Sequence, residues 1–291
     1  MNSPERTTNP ATVAADVSID AFGLTHVGRV RKANEDHFAI VSLRKALQIR
    51  QTSLADAAII EAIRVPEALL FVVADGVGGR PGGAQASMTA VTALVEYLGE
   101  AAGCFNSFDV EREHEFLEQL EAGVRRAHDR IVADYENEQQ RPATTLTMAT
   151  LVWPRAYLVH VGDSRAFYLR KGRLRQLTRD QTFGEMMVEA GAWTEDQAKR
   201  SPAGGALASA VGASDITPSI GLVDLETDDV MLFCTDGLTR HVSEDRITDV
   251  LQTSPDAEEA CRRLVDAALD DGGTDNVTVI VARAVQGNAR D

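Results

Sequence analysis

The segment that is most informative about the fold is residues 146–177, LTMATLVWPRAYLVHVGDSRAFYLRKGRLRQL. Four short runs rich in branched and aromatic residues follow one another here, at Leu146–Val152, Ala156–Val161, Ala166–Leu169 and Leu174–Leu177. Their length and composition are typical of strands. Strands joined by short turns run antiparallel, because a parallel connection needs a long crossover. The segment therefore predicts an antiparallel sheet.

Strands and helices are grouped in the rest of the chain. Further strand-like runs lie at His37–Val41, Ala68–Ala74, Val230–Cys234 and Val277–Ala282. Helical periodicity occurs over Ala84–Gly103, Glu111–Glu136 and Asp256–Leu269. Ser254 followed by Pro255 is predicted to cap the third of these helices. Since the helices lie between and after clusters of strands, without strict βαβ alternation, the order predicts an α+β fold with antiparallel sheets.

The domain organisation is predicted to be simple. Residues 18–286 are expected to form one domain, between a disordered N-terminal tail at 1–17 and a C-terminal tail at 287–291. Residues 43–66 separate two strand candidates by more than a hairpin loop requires, and we interpret them as an insertion. Such an insertion could dock a partner or simply cover the core.

Composition excludes several classes of protein. The net charge of −15, from 29 Lys+Arg and 44 Asp+Glu among 291 residues, argues against nucleic acid as the main partner. No apolar run reaches the roughly 20 residues of a bilayer span, and the polar start lacks the apolar stretch of a signal peptide. We therefore expect no membrane association. Cys104, Cys234 and Cys261 form no C-x-x-C pair, which indicates free thiols in a reducing compartment, the cytoplasm.

Some of the acidic residues have a shared placement at strand ends. The aspartates in question are Asp36, Asp75, Asp163, Asp236 and Asp275. If their strands lie side by side, these carboxylates crowd one edge and raise each other's pKa, an arrangement that cations would neutralise. Hard oxygen donors without clustered His or Cys favour Mg²⁺ or Mn²⁺. The alternative is that these aspartates, like most surplus acid, are solvated surface.

Glycine directly follows two of these acids. The segments are Asp75-Gly76-Val77-Gly78-Gly79 and Asp236-Gly237. Glycine permits a positive φ and lets the backbone approach a ligand closely. However, Asp-Gly is also a common turn dipeptide, so either pair alone is weak evidence.

Six motifs, taken together, point to a known family. They are GRVRKANED at Gly28–Asp36, ADGVGG at Ala74–Gly79, TTL at Thr144–Leu146, VGDSR at Val161–Arg165, CTDGL at Cys234–Leu238 and TDNVT at Thr274–Thr278. Over about residues 20–282 they resemble, in order, the motifs of metal-dependent protein phosphatases of the 2C type. The chain is similar to the stand-alone bacterial members.

This resemblance implies a fold and an activity. The fold would be a four-layer α-β-β-α sandwich of two antiparallel sheets flanked by helices. The activity would be hydrolysis of phosphoserine and phosphothreonine in proteins, by a water that bridges two Mn²⁺ or Mg²⁺ ions. The implied partners are phosphorylated proteins, among them bacterial Ser/Thr kinases and the substrates of those kinases, and we expect a monomer.

The resemblance also implies the metal ligands. Asp75 would bridge the two ions, and Asp236 and Asp275 would complete one site. Asp36, with the carbonyl of Gly76, would serve the other site.

Three further residues have implied roles at the centre. Glu35 would bind a metal directly or hold a metal-bound water. Asp163, together with Asp236, would hold a third and weaker ion. Arg31 would bind the substrate phosphate, because a guanidinium presents a planar fork to two oxygens. Arg29 is the nearby competitor for that role.

Weaker expectations concern the neighbours of these residues. His37 should point away from Asp36 because side chains alternate along a strand. Ser164 and Arg165 are expected to brace Asp163. A basic cluster is formed by Arg165, Arg170, Lys171, Arg173, Arg175 and Arg179, and it is either a solvated face or a surface for an acidic phosphoprotein. Residues 182–200 resemble the family's mobile flap, although their large apolar residues could equally pack a small helix.

Three interpretations of function remain after this reasoning. The first is an active metal-dependent phosphoprotein phosphatase. The second is a regulatory binding domain that keeps the fold but hydrolyses little, and the third is a carboxylate-lined Ca²⁺ module. Every expected aspartate is present, which favours the first, and Arg31 has no purpose in the third.

Overall fold

The computed structural model describes residues 17–43, 68–77, 82–100, 113–135, 141–214 and 216–287. The predicted N-terminal tail, insertion and C-terminal tail lie outside these ranges, except for one residue of each. Those residues are Val17, which begins a strand, Leu43, which ends one, and Gly287.

Two antiparallel sheets form the centre of the described part. In chain order its strands are β1 (Val17–His26), β2 (Asp36–Leu43), β3 (Ala68–Asp75), β4 (Leu146–Val152), β5 (Arg155–Val161), β6 (Arg165–Arg170), β7 (Arg173–Gln176), β8 (Ser219–Asp224), β9 (Val230–Cys234) and β10 (Val277–Gln286). One sheet has the order β1-β10-β9-β6-β7 and the other β2-β3-β4-β5-β8. Every neighbouring pair is antiparallel, as predicted.

Helices cover the outer face of each sheet. The described helices are α1 (Gly83–Glu100), α2 (Glu113–Ala133), α3 (Phe183–Glu189), α4 (Glu195–Arg200), α5 (Asp236–Thr239), α6 (Glu244–Thr253) and α7 (Ala257–Asp270). The helix α1 packs on β2 and β3, with α2 against it, while α7 packs on β1 and β10. The predicted four-layer α-β-β-α sandwich is therefore confirmed. None of the described helices combines the length and apolar character needed to cross a bilayer.

Three apolar layers hold the sandwich together. One lies between α1, α2 and their sheet, the second between α6, α7 and the other sheet, and the third between the two sheets. In the middle layer the rings of Phe71 and Phe233 stack with centroids 5.7 Å apart. Because both faces of β4 are covered, every residue of Leu146–Val152 is buried. This explains why the strand has a nearly continuous apolar sequence rather than an alternating one.

Some elements were not predicted. The edge strand β8 was missed because four of its six residues are exposed, so its apolar residues give no periodic signal. The cap assigned to Ser254 and Pro255 is wrong. Asp256 caps α7, since its Oδ1 accepts from the Glu259 N–H at 2.8 Å. Ser254 instead ends α6, where its N–H donates to the Val250 carbonyl at 3.0 Å.

Candidate metal centre

The strand pairing brings the predicted acids to one end of the sandwich. Asp36, at the start of β2, is the register partner of Asp75, at the end of β3. In the other sheet, Val279 near the start of β10 pairs with Cys234 at the end of β9. The segments that carry the remaining aspartates, Asp163, Asp236 and Asp275, adjoin the sheets at this same end.

Asp36 connects the two sheets. Its Oδ2 accepts hydrogen bonds from the Thr235 hydroxyl at 2.9 Å and from the Thr278 hydroxyl at 2.7 Å. Both threonines belong to the opposite sheet region, and all three residues are buried. The position of Asp36 is therefore fixed by contacts across the sandwich. The two threonines were not identified from the sequence, where they look like ordinary strand residues.

At the two Asp-Gly pairs, glycine is needed because neighbouring backbone packs closely against it, and not because the chain makes a turn with positive φ. Neither Gly76 nor Gly237 has a positive φ. A Cβ at Gly76 would collide with the backbone of Gly83, and one at Gly237 would collide with the carbonyl of Asn276. Glycine therefore lets neighbouring backbone pack directly against the two acid-bearing segments.

Burial and mutual repulsion disfavour the charged forms of these acids. Burial, followed by the charges of Asp236 and Asp275, raises the pKa of Asp36 to about 7. Burial likewise raises the pKa of Asp163 to about 7, with the charge of Asp236 as the next cause. The pKa of Asp75 is raised well above its ordinary value by burial and then by Asp36. This is the electrostatic signature of carboxylates gathered at a site that a cation would neutralise.

Two carboxylate oxygens are left without a hydrogen bond. Asp36 Oδ1 and Asp236 Oδ1 are buried, and no partner reaches either of them from the described residues. A buried carboxylate oxygen without a donor is costly, and it suits a hard divalent cation. The donor set therefore fits Mn²⁺ or Mg²⁺ in chemistry and in burial.

Arginines compensate the acids in this structure. Arg31 Nη2 donates to Asp275 Oδ2 at 2.7 Å, and Arg240 forms an ion pair with Asp236. Among the described residues, no three His, Cys, Asp or Glu side chains surround one point as ligands of a single ion. The side chains of Asp236 and Asp275 contact guanidiniums instead.

A cavity of about 450 Å³ joins the predicted residues. Its acidic wall contains Glu35, Asp75, Asp163, Asp236 and Asp275, with Gly76 and Arg31 beside them. The lining also contains apolar residues, among them Val77, Ala143, Ala206 and Leu207. Of the predicted site residues, only Asp36 is absent from the lining. It lies in the protein interior next to Thr235 and Thr278.

The structure distinguishes the two candidate arginines. Arg31 lines the cavity and contacts Asp275, which raises the pKa of the guanidinium through their hydrogen bond. Arg29 does not line it, and its Nη2 instead donates to Asp270 at 3.2 Å on the surface. The cavity is thus accessible to Arg31 and not to Arg29.

Asn276 has a larger role than the one predicted. We expected it to support the loop that carries Asp275. Its Nδ2 donates to the carbonyls of Val27 and Ala33, each at 2.9 Å, and its Oδ1 accepts from the Glu35 N–H at 2.8 Å. Asn276 therefore holds the loop that carries Arg31 against the start of β10.

The expected support of Asp163 is wrong in detail. Arg165 binds Asp180 instead, through Nε at 2.8 Å and Nη2 at 2.7 Å. Ser164 contacts the Thr145 hydroxyl at 2.7 Å. The loop before Asp163 is held by Gln181, whose Oε1 accepts from the Gly162 N–H at 3.0 Å.

The structure also tests the predictions for His37 and for the basic cluster. His37 points away from Asp36, since its Nδ1 lies 2.9 Å from the Ser87 hydroxyl on α1. In the basic cluster, Arg170 is paired with Asp229 and Arg179 with Glu189. Part of that cluster's charge is therefore neutralised within the chain.

The flap segment forms the short helices α3 and α4. Thr182 and Thr194 cap them. The rings of Phe183 and Trp193 meet edge to face at 5.4 Å. The large aromatic residues of the flap segment therefore pack against each other, while Met186 is exposed.

Comparison with known proteins agrees with the geometry. The model of the protein phosphatase 2C family matches residues 48–276. Serine/threonine protein phosphatase PstP of Mycobacterium tuberculosis is 35% identical over 220 residues, which are 75% of this chain and 41% of PstP. Protein phosphatase PhpP of Streptococcus pneumoniae is 30% identical over 212 residues, 72% of this chain and 83% of PhpP.

A solved structure is similar over nearly the whole chain. The crystal structure of the PstP catalytic domain in complex with two manganese ions has a TM-score of 0.70 and 30% sequence identity. The likeness covers 92% of this chain and 99% of that one. The present chain thus spans less than half the length of full PstP but nearly all of its catalytic domain.

Proposed function

The chain belongs to the protein phosphatase 2C family, and from this premise we propose that it is a metal-dependent phosphoprotein phosphatase acting on phosphoserine and phosphothreonine. The observation that carries the proposal is the gathering of buried aspartates, two with unpartnered oxygens, beside a cavity that Arg31 enters. A binding module that holds no cation would have no need to bury so many mutually repelling carboxylates, and a Ca²⁺ module would not need Arg31 in the cavity.

Two divalent cations are the proposed cofactors, Mn²⁺ or Mg²⁺. Asp75, Asp236 and Asp275 would hold one of them, and Asp75, Asp36 and the Gly76 carbonyl the other. When bound, such ions neutralise phosphate charge and lower the pKa of water, which supplies a nucleophile. We propose two ions, because Arg240 lies beside the Asp163–Asp236 pair at which the sequence predicted a third.

Arg31 is proposed to bind the substrate phosphate. Its side chain is 40% exposed, so a dianion in the cavity can reach the guanidinium. Asn276 keeps the Arg31 loop in place, and Glu35 on the same loop lines the cavity. Val77 also lines it and offers no proton to the leaving group, so the proton must come from an acid or a water.

The substrates and location are proposed on broader grounds. Relatives named serine/threonine protein phosphatase and protein phosphatase support phosphorylated proteins as substrates. We propose that these include Ser/Thr kinases and the proteins that such kinases modify. A cytoplasmic location is supported by Cys234 and Cys261, which are free thiols. We propose that the chain acts as a monomer.

The test is a metal-dependent phosphatase assay on the purified chain. With Mn²⁺ it should hydrolyse para-nitrophenyl phosphate and a phosphothreonine peptide, and a chelator should stop the reaction. Asp75→Asn and Asp236→Asn should each reduce turnover by at least about 10³-fold, since each removes charge from the metal centre. Asp266→Asn, at an exposed position on α7, is the matched control and should keep full turnover.

Two results would contradict the proposal. Turnover that persists in both Asp75→Asn and Asp236→Asn would remove the metal assignment. A wild-type chain that binds Mn²⁺ and a phosphopeptide without hydrolysing it would point to a regulatory binding domain.

A further inference from the structure

Arg240 is a cation built into the acidic centre. It directly follows α5, one helical turn after Asp236, and its N–H donates to the Asp236 carbonyl at 2.9 Å. Its guanidinium pairs with the Asp236 carboxylate, and Nη1 lies 3.4 Å from Asp275 Oδ2. Because one helical turn connects Arg240 to Asp236, the charge is held close to that acid by the backbone.

Arg240 shares its surroundings with both Asp163 and Asp236. Arg240, Asp163 and Asp236 all line the central cavity, and all three also line a second cavity of about 370 Å³. That second cavity is bounded on its far side by Asp180 and by residues of α3. Arg240 is thus part of the wall that the two acids share.

Other described cations near Asp163 are already engaged. Arg165 is bound to Asp180 by two hydrogen bonds, and Lys199 lies 4.0 Å from Glu195 on the surface. Burial raises the pKa of both Asp163 and Asp236, and the charge of Arg240 opposes that rise at each acid. Its field therefore acts on the pair of acids together.

The two oxygens of Asp236 have different surroundings. Oδ2 is paired with Arg240, whereas Oδ1 is buried and has no partner among the described residues. One carboxylate can serve two ions by offering one oxygen to each of them. In this arrangement only Oδ1 remains for a divalent cation, because the guanidinium occupies the other oxygen and repels a second cation.

We propose that Arg240 takes the place of a third cation at the Asp163–Asp236 pair, so that this chain holds two divalent ions. The inference rests on the proposed function, since it presupposes the two-ion centre. It differs from the expectation drawn from sequence, which assigned a third and weaker ion to these acids. Asp163 then contributes negative charge that stabilises Arg240 rather than serving as a metal ligand.

The test counts bound manganese. Metal-free protein is equilibrated with rising Mn²⁺ by dialysis, and the ions per chain are measured by elemental analysis, with thermal unfolding as a check on folding. We expect two ions in the wild type and three in Arg240→Ala, because the removed charge opens the pair to a cation. Arg240→Lys keeps the charge and should bind two.

Two further variants complete the design. Arg246→Ala is the matched control, since its side chain is 55% exposed against 53% for Arg240 and it pairs with Asp249 away from the centre. It should bind two ions. The double variant Arg240→Ala with Asp163→Ala should return from three ions to two, which would identify Asp163 as the ligand of the added ion.

The outcomes separate this inference from the proposed function. Three ions in the wild type, or two in a folded Arg240→Ala, would overturn the role of Arg240 and leave the phosphatase proposal intact. A wild type that binds no Mn²⁺ would overturn both. Two ions in the wild type and in Arg240→Lys, with three ions in Arg240→Ala, would support the proposed role of Arg240.

Discussion

Asp275 Oδ2 is the point at which the two arginines of the centre meet. Arg31 Nη2 reaches it at 2.7 Å and Arg240 Nη1 lies at 3.4 Å. Both guanidiniums therefore stand at the edge of the cavity with a single anionic oxygen between them. A phosphate dianion offers the same guanidiniums more oxygens and more charge than one carboxylate does. This supports a substrate role for Arg31, the arginine that the family motif indicated.

Replacing Arg31 is expected to weaken substrate binding. Arg31→Ala should raise KM for a phosphopeptide and lower kcat/KM by about 10–100-fold, the usual effect of losing one or two charged hydrogen bonds. Steady-state kinetics at saturating Mn²⁺ measure this. Arg29→Ala is the control and should stay within about twofold of the wild type, since the Arg29 side chain pairs with exposed Asp270 on the surface. A larger effect at Arg29 than at Arg31 would reverse the assignment.

At the scale of elements, the short helix α5 determines the geometry of the centre. It carries Asp236 at its start and is followed by Arg240. Gly237 lets the helix lie directly against the turn that contains Asn276. A side chain at this position would collide with the carbonyl of Asn276, the residue after Asp275. Four residues of helix therefore set the spacing between two acids that are far apart in sequence.

Gly237→Ala is expected to disturb this contact. The added Cβ would meet the Asn276 carbonyl, and backbone cannot yield as a flexible side chain does, so we expect a loss of stability of about 1–3 kcal/mol and weaker Mn²⁺ binding. Thermal unfolding and a Mn²⁺ titration measure both. The control is Gly99→Ala in α1, where no described atom lies within 4 Å of an added Cβ.

The control should behave in the opposite way. Gly99→Ala removes backbone entropy from the unfolded chain and should stabilise by roughly 0.5–1 kcal/mol. Equal stability of the two variants would show that the close approach of α5 to Asn276 is not required.

For the whole molecule, the buried acids link folding to metal and pH. The pKa of Asp36 and that of Asp163 are raised to about 7 in the metal-free fold. Between the ordinary carboxyl pKa of about 4 and this value, the folded chain binds more protons than the unfolded chain. Stability from these groups is therefore present at low pH and is lost as the pH rises toward 7. A bound cation compensates the charge and should remove this loss.

We expect the chelated protein to have a higher Tm at about pH 6 than at about pH 8, and Mn²⁺ to raise Tm most at the higher pH. Thermal unfolding with chelator and with Mn²⁺ at both pH values measures this. Asp36→Asn should reduce the pH dependence of Tm, because an amide resembles the protonated acid. Burial lowers the pKa of His160 to about 4, so this residue makes the fold less stable, not more, as the pH falls below about 6.5. A wild type and an Asp36→Asn variant with the same pH dependence would contradict the assignment.

Local sequence was enough to predict the strands that are buried on both faces, the antiparallel class and the identity of the acids at the strand ends. Leu146–Val152 and Val230–Cys234 were predicted with their observed bounds because a run of branched residues is a local property of the chain. The half-exposed strand β8 and the cap at Asp256 were not predicted from the sequence. The exposure of an edge strand and the groups that a side chain can reach depend on neighbours that are distant in sequence.

The way in which the acids are compensated depends on the stacking of the two sheets. Asp36 is bound by Thr235 and Thr278, and Asp236 by Arg240, through contacts that exist once the two sheets are stacked. Local sequence reveals which residues can donate or carry charge, but hydrogen bonds and ion pairs act over a few ångströms and form between whichever groups the fold brings together. For this reason the carboxylates could be predicted, whereas the threonines, Asn276 and Arg240 required the three-dimensional arrangement.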